Sequence, residues 1–204
     1  MATKGTRTRQ NIIENSLQLF SVKGYYNTSI NDILDATGLT KGGLYGHFGS
    51  KEDIWYRVYE EAVSIWKGIV FKGIRHDADP LKRIETFIEN DMREYLGADV
   101  FEGGCFFVNM LVELSGQSAS MSKQILRGFV RLAGLLQSWL EEADRKGLLQ
   151  KGLNSREIAN FIIIALNGAA ALYISTRDRS ILEQTIQQLR FYIEGLKKDQ
   201  PVAI

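Results

Sequence analysis

Apolar residues recur at intervals of three and four along almost the whole chain, and this spacing restricts the fold more than any other feature. It is the interval of one helix face, and no stretch alternates convincingly at the two-residue period of a strand. Proline, which breaks helices, occurs only at Pro80 and Pro201, so glycine supplies most of the stops. The predicted fold class is therefore all-α. A chain of 204 residues suffices for a small module joined to a larger one.

A first helix is expected over about residues 8–23, with Ile13, Leu17 and Phe20 on one stripe and Gly24 as its stop. Ser29, three residues ahead of Asp32, has the arrangement of a capping box and opens a short second helix carrying Ile30, Ile33 and Leu34. Gly38 ends it in a tight turn, and Thr40 caps a third helix bearing Leu44 and Phe48. Ser50 with Asp53 opens a fourth. Asp79 and Pro80 read as the N-cap and first residue of a helix running to about residue 96. Further helices are expected over about residues 105–114, 120–146, 154–176 and 180–197. Residues 1–52 form the expected head of three helices, and 53–204 a larger helical body.

Charge and cysteine usage narrow the setting. Residues 1–51 carry a net charge of +3 and the remainder −2, a basic head on a slightly acidic body. Cys105 is the single cysteine, which excludes an intramolecular disulfide and suits a reducing cytoplasm. The first ten residues lack the apolar core of a signal peptide. The most apolar stretch, residues 158–174, is interrupted by Asn160 and Asn167 and is expected to fall short of a membrane span. A soluble cytoplasmic protein without a membrane partner is expected.

Two short helices joined by the sharp turn Thr37-Gly38-Leu39 have the form of a helix-turn-helix, with Ile33, Leu39 and Leu44 pinning them together. Residues 28–54 as a whole resemble the DNA-binding domain of the TetR family of bacterial repressors. Gly38, Lys41, Leu44, Tyr45, Phe48, Ser50 and Lys51 stand where that family's pattern places those residue types. The strong part of the likeness covers roughly residues 8–55. The chain departs from the pattern at Gly43 and Gly46, where larger side chains are common. Two glycines weaken so short a helix by about 1 kcal/mol each relative to alanine.

The resemblance, with the chemistry of the side chains, implies a double-stranded DNA operator as partner. Thr28 or Ser29 should offer a hydroxyl and helix amides to a phosphate. Thr40 and Lys41 are placed for base edges or phosphates in the major groove. Gly43 and Gly46 allow close approach of backbone to the duplex, or leave the helix partly disordered until DNA binds, and Gly42 and Gly43 are counted among the DNA contacts. Tyr45 and His47 lie on the exposed side of the third helix, and Lys51 should meet a phosphate. Arg7 and Arg9 are candidates for a mobile basic arm.

The last helix carries Leu182, Ile186, Leu189, Ile193 and Leu196, a heptad-like seam that needs a partner. The helix before it has Gly168 and Ala169 to Ala171, which permit close approach. Two such helices from each subunit would form a four-helix homodimer interface, the arrangement the resemblance also implies. Two heads then read a near-palindrome. Both helices also have faces that an intrachain core would bury.

The body holds an unusual supply of large side chains. Trp66, Phe87, Tyr95, Phe106, Met110, Phe129, Trp139 and Phe161 are candidates to line a cavity for a mostly apolar small-molecule effector. Asn109 and Glu113, four residues apart, are candidate polar anchors. Cys105 follows Gly103-Gly104 at a helix start, where free amides can lower a thiol pKa. Some members of the resembled family carry a Gly-Cys there, and certain of those sense electrophiles, so a thiol-sensing repressor is one alternative, set against a buried, inert cysteine.

A helical module that binds another protein is the other alternative. Enzymatic chemistry is not expected: Cys105 would have to pair with His47 or His76, one in the third helix and one in a connector. No phosphate-cradling loop or metal-ligand cluster appears, so neither cofactor nor metal is expected. The function expected is a dimeric, ligand-responsive repressor released from DNA by its effector.

Overall fold

A computed structural model describes residues 3–74 and 77–198, which leaves His76 outside the described residues. Nine α-helices follow one another within them, and no strand is present there beyond a lone bridge between Leu149 and Lys197. Helix α1 (Lys4–Lys23) starts four residues earlier than its apolar stripe suggests, because the Thr3 hydroxyl accepts the Thr6 amide and caps it. Arg7 and Arg9 therefore lie within a helix, which removes the expected mobile arm.

Helix α2 (Ile30–Thr37) opens with the full capping box between Ser29 and Asp32. It closes at Gly38, whose φ of 68° is the left-handed conformation that only glycine adopts without cost. Helix α3 (Lys41–Tyr45) is five residues long, and Phe48 lies beyond its end. Helix α4 (Lys51–Val70) is a rod of 20 residues, about 30 Å. Ile12, Ile33, Leu44 and Ile54 are completely buried and form the centre of the head.

In the body, the helix expected over residues 80–96 divides. Helix α5 (Pro80–Glu89) is regular, and Asn90–Leu96 continues it as a wider π-helical segment. Helices α6 (Phe106–Leu114), α7 (Ala119–Arg145), α8 (Ser155–Thr176) and α9 (Arg179–Leu196) complete it. Asp178 caps α9 by accepting the Ser180 amide at 2.9 Å. Helix α8 is long and apolar enough to cross a membrane, contrary to expectation. Its Ile158, Ile162, Leu166 and Tyr173 are instead buried, and α8 packs against α7 and α9.

The heptad-like seam of α9 is not a free surface. Leu182, Ile186, Leu189, Ile193 and Leu196 are each at most 7% exposed, packed within the chain as α9 lies on α8 and α5. The opposite faces are apolar and open: Phe161, Ile164 and Leu172 on α8, and Phe191 on α9, 78% exposed. A seam that needs a partner had found one in its own subunit.

Candidate nucleic-acid interface and effector cavity

The surface presented by the turn and α3 is small. The Thr40 hydroxyl caps α3 by accepting the Gly43 amide at 3.2 Å. Lys41, Gly42 and Tyr45 are exposed, and a side chain added at Gly42 would point into open space. Packing does not require glycine there; its effect is to leave bare backbone on the outer face. Inward, Leu44 is fully buried. His47 is only partly exposed, and its carbonyl accepts Arg9 Nη1 at 2.7 Å while the Arg9 guanidinium lies over the Phe48 ring. Arg9 thus buttresses the head from within.

Three residues expected on phosphate are engaged elsewhere. Thr28 is completely buried and donates to the Gly24 carbonyl at 2.7 Å, so its hydroxyl cannot reach DNA. Ser29 donates to Asp32 Oδ2 at 2.6 Å and accepts the Asp32 amide, which leaves exposure but little free hydrogen-bonding capacity. The Lys23 ammonium on Asp32, followed by Ser29, holds that carboxyl well below its usual range. Lys51 Nζ donates to the carbonyls of Tyr25 and Thr28, both at 2.9 Å, and sits 4.2 Å from the Tyr25 ring centre. Burial lowers its pKa. Lys51 braces the head as a structural cation.

At the other end of α4 the body opens a cavity of about 1070 Å³. Tyr59, Val63 and Trp66 line it from α4, Phe107 from α6, and Phe129, Leu132 and Trp139 from α7. Trp66 meets Phe87, Phe107 and Phe71 edge-on. Arg83 reaches the wall but is neutralised by Glu142, with contacts at 2.7 and 3.3 Å. Lys67 and Arg131 line it from exposed positions. A mostly apolar wall with a few polar groups is the general form of a small-molecule site.

Comparison with known proteins follows the same division. A family model described as bacterial regulatory proteins of the tetR family matches residues 12–56, and one described as a tetracyclin repressor-like C-terminal domain matches residues 80–189. The chain belongs to the TetR family. An uncharacterised HTH-type transcriptional regulator encoded in the lacX 3′ region of Lactococcus lactis subsp. lactis is 30% identical, over 92% of this chain and 93% of its own. The HTH-type transcriptional repressor DhaR of Mycobacterium sp. (strain GP1) is 27% identical, over 88% of each. A TetR regulator structure from Chloroflexus aurantiacus superposes with a TM-score of 0.88 at 26% identity, covering 95% of this chain and 98% of that one. One from Cytophaga hutchinsonii gives 0.87 at 23% identity, covering 98% and 100%. The chain is a helix-turn-helix transcriptional regulator, in a family of regulators rather than enzymes.

As in any TetR regulator, the head must be joined to the body, and here the joint corrects two further expectations. Glu113 is not a cavity anchor: its carboxylate accepts the backbone amides of Tyr25 and Tyr26 at 2.9 and 2.8 Å. Asn109 donates to the Gly103 carbonyl at 2.8 Å and shapes the loop before α6. Gly103 lies so close to α1 that a Cβ would fall 1.7 Å from the Ser21 carbonyl oxygen. Glu113 and Gly103 lie 82 to 88 residues from their partners at the end of α1 and in the turn after it, beyond the reach of any local pattern.

The other expected cavity residues also disperse. Phe87, Phe106 and Met110 belong to the packed core, and Phe161 is on the outer surface against Tyr192. Tyr95 and Cys105 line a separate small cavity. Burial pushes the Cys105 thiol up to about 11, the opposite of the lowered pKa that thiol sensing needs. Missed by the sequence reading were Tyr59 and Val63 on the wall and Asp91 in the small cavity. Tyr59, Val63 and Trp66 follow the helical interval on α4, and Asp91 interrupts the stripe Ile84, Ile88, Tyr95; both patterns were available.

Proposed function

We propose that this TetR regulator is a cytoplasmic repressor that binds a near-palindromic operator as a homodimer and leaves it when a small molecule fills the cavity. The observation that carries the reading is the position of α4. Its first turns hold Ile54, Trp55 and Val58 in the core against α1, while its later turns form one wall of the cavity. A ligand pressing on Trp66 therefore acts on the same rigid element that orients the head. Such coupling needs only that the ligand prefer one head spacing over the other.

DNA contact is assigned to Thr40, Lys41, Gly42, Gly43, Tyr45 and His47, with Lys41 and Tyr45 as the exposed side chains that act most directly. Dimerisation is assigned to the outer faces of α8 and α9, where Phe161, Ile164, Leu172 and Phe191 are exposed with Gly168 and Gly195 beside them. Two recognition helices then stand about one DNA turn apart. The name of the Mycobacterium relative, a repressor, supports repression over activation.

Selection of bound duplexes from a random pool tests the reading. Recovery of two inverted half-sites about ten base pairs apart between centres, bound with strong salt dependence, is expected. Replacing Phe191 with Glu should give a monomer by sedimentation and abolish tight binding to the full site. A stable dimer in that variant, or recovered sequences without symmetry, would overturn the dimeric reading.

A further inference from the structure

The large cavity shares Trp66, Phe107, Phe129 and Leu132 with a second one of about 40 Å³. That is room for a few water-sized groups. The partition between the two is made of side chains, which rotate, rather than backbone. Asp91, Tyr95 and Asn167 give the small cavity its polar lining, with the Cys105 thiol beside them.

Its electrostatics are incomplete. Asp91 Oδ1 accepts the Trp66 indole N–H at 2.8 Å, the side-chain hydrogen bond it makes in the structure. Although the residue as a whole is only partly buried, its carboxyl is desolvated enough to be pushed up to about 6, against the opposing pull of Trp66. The Tyr95 hydroxyl is buried without a hydrogen-bond partner. The groups facing Asp91 are Trp66 from α4, Tyr95 from its own segment and Cys105 from the start of α6. Burial keeps the last two neutral at pH 7, and no lysine, arginine or histidine of the described residues is among the groups acting on Asp91. A carboxylate in low dielectric without a counter-charge is unfavourable.

We propose that the effector is an organic cation, with an apolar, preferably aromatic body in the large cavity and an ammonium or amidinium group seated in the small one against Asp91. This rests on the reading of the large cavity as the effector site. The Tyr95 hydroxyl oxygen accepts a further hydrogen bond from the same group. Trp66, Phe107 and Phe129 are the aromatic residues of the shared wall, and aromatic rings attract cations. Lys67 and Arg131 stand at exposed positions, where water and salt screen their repulsion, whereas nothing screens the buried carboxylate. A cation on the same carboxylate acts on the group that Trp66 grips through Oδ1, which links occupancy to α4.

Three probes on one scaffold test this: 1-pyrenemethylamine, 1-pyrenemethanol and 1-pyrenecarboxylic acid, titrated by fluorescence into the 204-residue chain. At pH 7.5 the amine should bind at least about tenfold more tightly than the alcohol, and the acid more weakly than either. Asp91→Asn keeps the acceptor for Trp66 and should remove the amine's advantage over the alcohol, with an unchanged far-UV circular dichroism spectrum as the check on folding. The amine's advantage should also fade between pH 7.5 and pH 5 as Asp91 takes up a proton. Equal binding of amine and alcohol, preference for the acid, no binding by any probe, or an Asp91→Asn variant that keeps the preference would each overturn the proposal. An amine that binds through Asp91 without loosening the selected operator would instead sink the effector-release reading and spare the ligand class. Release by the alcohol or acid, independent of Asp91, would do the reverse.

Discussion

The two ends of α4 sit in opposite surroundings. Near its start, Ile54, Trp55 and Val58 are completely buried, and the polar side chains nearest the turn are tied into the chain: Thr28 to Gly24, Ser29 to Asp32, Lys51 to two carbonyls. Near its end the same rod faces a cavity of about 1070 Å³, and behind Trp66 the Asp91 carboxyl lacks a counter-charge. The head is built to keep one shape, because it must present a fixed surface. The body keeps empty volume and unmet charge, because only there can a ligand change the balance of contacts. Dense packing passes displacement on, and a cavity is where displacement can begin.

Gly103→Ala should break this arrangement most severely. Its new methyl would collide with the Ser21 carbonyl oxygen, a backbone atom that cannot turn aside. A loss of about 3 kcal/mol or more is expected, lowering Tm by roughly 6–12 °C for a chain of this size. A Tm unchanged in a thermal scan would mean that head and body are not held together at this point.

Asp91 sharpens the contrast from the other side. Its carboxyl titrates near 6 in the folded chain against an ordinary 3.8, so the folded state binds the extra proton between those values. Stability should therefore fall as pH rises through that window, by at most about 3 kcal/mol. Asp91→Asn should flatten this part of the profile and raise Tm at pH 7.5. A denaturant series across pH 4 to 7 with identical slopes for both proteins would show the carboxyl to be better solvated than the cavity suggests.

The two lysines of the head give smaller, diverging effects. Lys51→Ala should cost about 1–2 kcal/mol of stability, since two carbonyls lose a charged donor. Lys41→Ala should change stability by less than about 0.5 kcal/mol. It should also lower the slope of log affinity against log salt by about 2 per dimer, one released counterion per subunit. If Lys51 moved the salt slope and Lys41 did not, their roles would be exchanged.

The head was largely readable because its instructions are local. Ser29 with Asp32, Gly38, Thr40 and Ser50 each act on residues within a turn, and the structure has each capping or stopping a helix there. The body resisted at points where the same pattern admits several partners. The seam from Leu182 to Leu196 announces a buried face but not whose helix buries it. Nothing in the segment Asn90–Leu96 foretells its wider helical turn. Lys51 looked like a phosphate ligand because the motif explains its presence but not the carbonyls 23 and 26 residues away that capture it.

One feature of the joint reaches beyond stability. Glu113 holds Tyr25 and Tyr26 by their amides, and Lys51 holds Tyr25 and Thr28 by their carbonyls. Both grips are on main chain, so they are indifferent to the side chains that α3 presents. The fastening and the lettering are thus chemically independent, and a foreign α3 grafted between Thr40 and Gly46 could teach this body a new operator without loosening its hold on the head.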